Sequence, residues 1–95
     1  MTDSELIRDL RLLQRTTLML QTELRRGHVD TDLIDAIDRM MERGITTDPR
    51  CDELRDAVDA LRENTLTPRY ELHGDTIRAC EALKDRIDAV IGQLV

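Results

Sequence analysis

The chain has 95 residues and a formal net charge of −6, with 40 % hydrophobic and 36 % charged residues. This content of Leu, Ile and Val excludes a disordered chain, and no apolar run approaches the ~20 residues that span a bilayer. We expect one domain over residues 1–95, because independent domains commonly have about 100 residues. Tyr70 is the only aromatic residue, so the core must be built from aliphatic side chains.

The first predicted helix spans residues 4–26, with Ser4 or Asp3 as its N-cap and Gly27 as its stop. A heptad seam runs along it, formed by Leu6, Leu10, Leu13, Thr17, Leu20 and Leu24. Apolar residues off this seam include Leu12, Leu18 and Met19. A helix that is apolar on several sides is buried on several sides, so these three residues form a candidate dimer face.

Two shorter helices are predicted in the middle of the chain. The second helix spans residues 31–43 and is capped by Asp30 or Thr31. The third spans residues 49–64 and starts at Asp48-Pro49. An aspartate is a favourable N-cap, and proline at the first helical position lacks only an N–H that would have no partner there. The start of the third helix is the clearest boundary in the sequence.

The fourth predicted helix spans residues 68–94. We expect a kink or break at Gly74-Asp75, because glycine in a helix interior costs about 1 kcal/mol relative to alanine. No segment shows the alternation typical of a strand, so the fold class is all-α, a small antiparallel bundle of about four helices. A small core supplies little net stability, which favours a homodimer.

The histidines and cysteines do not form a recognisable catalytic or metal-binding motif. His28 lies near Asp30 and Asp32, but a loop histidine beside capping aspartates is common. His73 and Cys80 are seven residues apart, about 10 Å along a helix, which is too far for contact. Cys51 and Cys80 are expected to be reduced and to pack as small apolar side chains. We predict no catalytic residue, no metal and no cofactor, and therefore no enzyme.

The net charge is concentrated in the middle of the chain. Between Asp30 and Glu63 eleven acidic residues face five arginines, and outside this stretch the charges balance. Two acidic stripes with helical spacing are formed by Asp32, Asp35, Asp38 and Glu42 and by Asp52, Asp56, Asp59 and Glu63. Each stripe lies opposite the apolar side of its helix. It is either a solvated face or a docking surface for a basic partner.

The pattern favours a non-catalytic, protein-binding adaptor or inhibitor that acts through a helical surface. The alternative is an acidic decoy that mimics nucleic acid, as a phage or mobile-element inhibitor would, and blocks a basic site on a host protein. A third reading is an enzyme with a site assembled across a dimer. The partner is expected to be a protein, in addition to a second copy of the chain. Dispersed basic residues do not favour nucleic-acid binding. The acidic start, without a leader or membrane segment, favours the cytoplasm.

Overall fold

The computed structural model describes residues 2–66 and 73–95, with side chains for residues 2–64 and 74–95. The four α-helices are α1 (Asp3–Arg25), α2 (Thr31–Glu42), α3 (Asp52–Leu66) and α4 (His73–Leu94). Short 3-10 turns span Ile45–Thr47 and Pro49–Cys51. None of the described residues forms a β-strand. The all-α prediction is confirmed: the helices form a globule of 40 × 20 × 19 Å.

The helices pack antiparallel around one aliphatic core. Contacts between Gln14 and Asp88 and between Gln21 and Glu81 run in opposite directions along α1 and α4, each with a donor–acceptor distance of 2.6 Å. The seam of α1 faces this core, and its six buried residues are Leu6, Leu10, Leu13, Thr17, Leu20 and Leu24. The heptad seam of α1 therefore packs against other helices of the same chain.

The ends of α1 are fixed by a threonine and a glycine. Thr2, and not the predicted Ser4 or Asp3, accepts a hydrogen bond from the N–H of Glu5 at 3.2 Å. Asp3 instead lies in the first turn, where its negative charge is favourable near the helix N-terminus. At the other end Gly27 has a φ of 81°, a value that glycine adopts without steric strain. The N–H of Gly27 and that of His28 donate to the carbonyls of Leu24 and Glu23, which completes a Schellman motif.

Two aspartates position α2 and α3. Asp30 caps α2 by accepting from the N–H of Asp32 at 3.0 Å and from that of Leu33 at 3.3 Å. Asp48 accepts from the N–H of Arg50 at 2.9 Å. The chain after Asp48 first makes a 3-10 turn and becomes α-helical only at Asp52. The predicted α-helical start at residue 49 is therefore three residues early, because a tighter turn forms first.

The described part of α4 begins at His73, next to the predicted break at Gly74-Asp75. The helix is continuous from this residue, with Gly74 and Asp75 inside it. Asp75 pairs with Arg78 one turn later, an i,i+3 contact that a continuous helix allows. The predicted start at residue 68 lies outside the described residues.

Candidate functional site

The eight predicted acidic side chains lie on the outer surfaces of α2 and α3. Seven of them are exposed and Asp38 is half-buried. They face outwards because the opposite side of each helix is buried in the core. Ile37 of α2 and Leu54 of α3 lie on these buried sides. The acidic surface, as we define it, comprises Asp32, Asp35, Asp38, Glu42, Asp52, Asp56, Asp59 and Glu63.

Part of the acidic surface borders a cleft between α2 and α3. Asp38 and Glu42 line this cleft from α2, and Asp59 lines it from α3. The cleft has a volume of about 270 Å³, and Met41 and Val58 contribute the apolar part of its lining. These two side chains are buried. A partner could therefore place an apolar group in the cleft and cationic groups on its carboxylates.

The structure does not gather all eight carboxylates at this cleft. Asp56 lines a different cleft, between α3 and α4. Asp32 and Asp52 lie in the first turns of α2 and α3. At those positions their negative charge also stabilises the helix itself. The acidic surface is thus an extended band, with the α2–α3 cleft near its middle.

Few of these carboxylates are neutralised within the chain. Asp38 lies 3.5 Å from the Nε of Arg62. Six of the acidic residues form no ion pair with any described residue: Asp32, Asp35, Glu42, Asp52, Asp56 and Asp59. Their charges remain available to an external cation.

The outer side of α1 has a different character. Leu12, Leu18 and Met19 are 47 %, 48 % and 50 % exposed. Leu18 and Met19 line a cleft of about 300 Å³ together with Leu33 of α2. Exposure of large apolar side chains at adjoining positions is typical of a contact surface. The three residues of the predicted dimer face are therefore exposed on the described chain.

Three arginines on the same side of α1 were missed by the sequence analysis. Arg8, Arg11 and Arg15 are exposed, and none of them forms an ion pair with a described residue. Their spacing of three and four residues places them on one face of the helix. The spacing of these arginines in the sequence could have predicted a shared basic face. It was overlooked because the other basic residues of the chain are dispersed.

One arginine links the start of α1 to the start of α3. A terminal nitrogen of Arg50 lies 3.0 Å from a carboxylate oxygen of Asp3 and 2.8 Å from one of Asp48. These hydrogen bonds from Arg50 lower the pKa of Asp48 from 3.8 to about 2. The carboxylate that caps the turn before α3 is therefore charged throughout the ordinary pH range.

The chemically reactive residues are not assembled into a site in the described part of the chain. Cys51 and Cys80 are free and buried, and burial raises the pKa of the Cys80 thiol to about 12. A neutral thiol is a poor nucleophile. The described residues contain no group of three or more His, Cys, Asp or Glu side chains that could hold a metal ion. His28 is exposed, whereas the side chain of His73 lies outside the described residues.

Within the described residues, no helix has the combination of length and apolar character that crossing a bilayer requires. The chain matches no protein-family model, and no curated protein or solved structure is significantly similar to it. Function is therefore inferred from the chemistry of the two outer surfaces.

Proposed function

We propose that this protein is a non-catalytic, protein-binding adaptor or inhibitor that acts through its helical surfaces. The acidic surface of α2 and α3 binds a partner with a basic surface. The observation that carries this proposal is a set of six exposed carboxylates that form no ion pair with a described residue, some of them next to a cleft with a partly apolar lining. Opposite potentials on two surfaces accelerate their encounter and fix the orientation of the complex.

The rigid helices make this band suitable for recognition. Asp52 and Asp59 are two turns apart, about 10 Å along α3. A single exposed ion pair contributes only about 0–1 kcal/mol. Binding therefore needs several pairs together with apolar contacts in the cleft beside Met41 and Val58.

A second candidate function is that of a nucleic-acid-mimicking decoy, of the phage or mobile-element inhibitor type. The concentration of the whole net charge of −6 on the segment that forms α2 and α3 favours it. A basic groove that binds phosphates would accept the row of carboxylates in their place. Both candidate functions use the same surface and differ in the partner.

Self-association is the other part of the proposal. A homodimer was expected from the sequence because α1 carries more apolar surface than its own chain covers. Leu12, Leu18 and Met19 remain about half exposed, which supports a contact between α1 and another copy of the chain.

The experiment is capture of proteins from a cell lysate at low and high salt by the parent chain and two variants. The test variant carries Asp52→Lys, Asp56→Lys and Asp59→Lys. The control carries Glu5→Lys, Asp9→Lys and Asp85→Lys, the same charge change at positions without ion pairs. The proposal predicts basic proteins that are lost at high salt and with the test variant, and retained by the control. Equal capture by both variants would contradict it.

A further inference from the structure

The outer side of α1 combines positive charge with apolar surface. Arg8, Arg11 and Arg15 form a ridge of exposed guanidinium groups without ion pairs to any described residue, and Leu12 and Met19 lie beside it. A partner that covers this surface must supply carboxylates at matching positions and room for two large apolar side chains.

A two-fold pairing of α1 with α1, the simplest dimer suggested by the sequence, does not meet this requirement. It brings the arginine ridges of the two copies towards each other. Like charges placed opposite one another oppose association. The surface that covers α1 must therefore be acidic, and such a surface exists elsewhere on the same chain.

The acidic stripe of α3 matches the arginine ridge in spacing. Arg8, Arg11 and Arg15 are separated by three and then four residues, whereas Asp52, Asp56 and Asp59 are separated by four and then three. In an antiparallel arrangement the two orders coincide, and both rows are about 10 Å long. Arg8 then faces Asp59, Arg11 faces Asp56 and Arg15 faces Asp52.

The surface next to this stripe has room for the apolar side chains of α1. Asp56 borders a cleft of about 240 Å³ between α3 and α4, which is lined by Ala57, Ala60, Ala79 and Ala82 together with Arg86. Alanine side chains allow a second helix to approach closely. Large apolar side chains beside the arginines could then be covered there.

We propose that the outer face of α1 docks on the acidic stripe of α3 in a second copy of this chain. The inference rests on the proposed function, because it names a second copy as one partner of the acidic surface. In the bundle α1 and α3 both pack on α4, and the arginine ridge and the acidic stripe lie on different helices. Each copy therefore uses two different surfaces, so the association is head-to-tail.

The test is sedimentation velocity of two charge-reversed variants, alone and mixed, at low salt. The first variant carries Arg8→Glu, Arg11→Glu and Arg15→Glu; the second carries Asp52→Arg, Asp56→Arg and Asp59→Arg. Each variant alone brings like charges together, so its self-association constant should fall at least about tenfold from the parent's. The equimolar mixture restores complementary contacts and should associate again.

A control carries Arg39→Glu and Arg43→Glu, two exposed arginines outside the arginine ridge and the acidic stripe of α3 that form no ion pair with a described residue. It should associate like the parent. Circular dichroism shows which variants fold, and Arg→Gln and Asp→Asn versions replace any that do not. When these neutral versions are used, each variant alone still associates less than the parent. In the mixture, the arginine ridge of the second variant and the acidic stripe of the first are intact, so the two chains form a one-to-one dimer through that single contact.

The inference is overturned by a parent that stays monomeric, by a second variant that associates like the parent, or by a folded mixture that remains monomeric. None of these results contradicts the proposed function, which is tested separately by the lysate experiment. Conversely, the first variant keeps its acidic surface and should still capture basic proteins. Failure of that capture would count against the proposed function and not against the contact between copies.

Discussion

The outer face of α1 and the outer faces of α2 and α3 are built on the same helical pattern but present opposite chemistry. The first carries three unpaired arginines and three half-exposed apolar side chains, Leu12, Leu18 and Met19. The second carries unpaired carboxylates, and its large apolar side chains are covered. The core requires only the inner side of each helix to be apolar. The difference between the outer sides is the basis on which we propose separate binding roles for them.

The strongest test of the division between inner and outer sides is a pair of truncations on α1. Leu13→Ala removes a side chain that is 0 % exposed and should cost about 2–5 kcal/mol, because it leaves a cavity in the core. Leu18→Ala, at a position that is 48 % exposed, should cost less than about 0.5 kcal/mol in a monomer. Urea denaturation at low protein concentration measures both. Similar costs would mean that the outer face of α1 is wrongly assigned.

A smaller effect is expected at the turn that joins the two regions. Gly27→Ala should cost about 1–2 kcal/mol, because φ is 81° there and an added Cβ disfavours this conformation. The cost is conformational, since an added Cβ at Gly27 would meet nothing within 4 Å. Gly92→Ala is the control: it lies inside α4 with equal space around it. It should stabilise the protein by about 0.4–1 kcal/mol. Destabilisation by both substitutions would refute this explanation.

The connection between α1 and α3 predicts a pH dependence. Because Arg50 lowers the pKa of Asp48 to about 2, the ionised form of this carboxyl group is more stable in the folded state than in the unfolded chain. The stabilisation is fully present above the unfolded pKa of 3.8, and is lost as the pH falls towards 2. Asp48→Asn should therefore lower the denaturation midpoint at neutral pH. The difference from the parent should shrink below about pH 4; a constant difference would rule out this ionic contribution.

The sequence predicts the helices better than it predicts the surfaces. The seam from Leu6 to Leu24 is periodic, and the caps at Asp30 and Asp48 are local interactions. The structure shows which carboxylates share a cleft and which arginines lack partners. Sequence spacing alone could not show either, because both depend on how the helices are arranged.

The most direct test of the claim that the outer faces are contact surfaces is sedimentation equilibrium of the parent chain beside a variant with Leu12→Glu and Met19→Glu. At high micromolar concentration and low salt the parent should show a mass above that of the 11.0 kDa chain. The variant should remain folded and monomeric, and high salt should shift the parent towards the monomer. A parent mass of 11.0 kDa under these conditions, or a variant that associates like the parent, would contradict the claim.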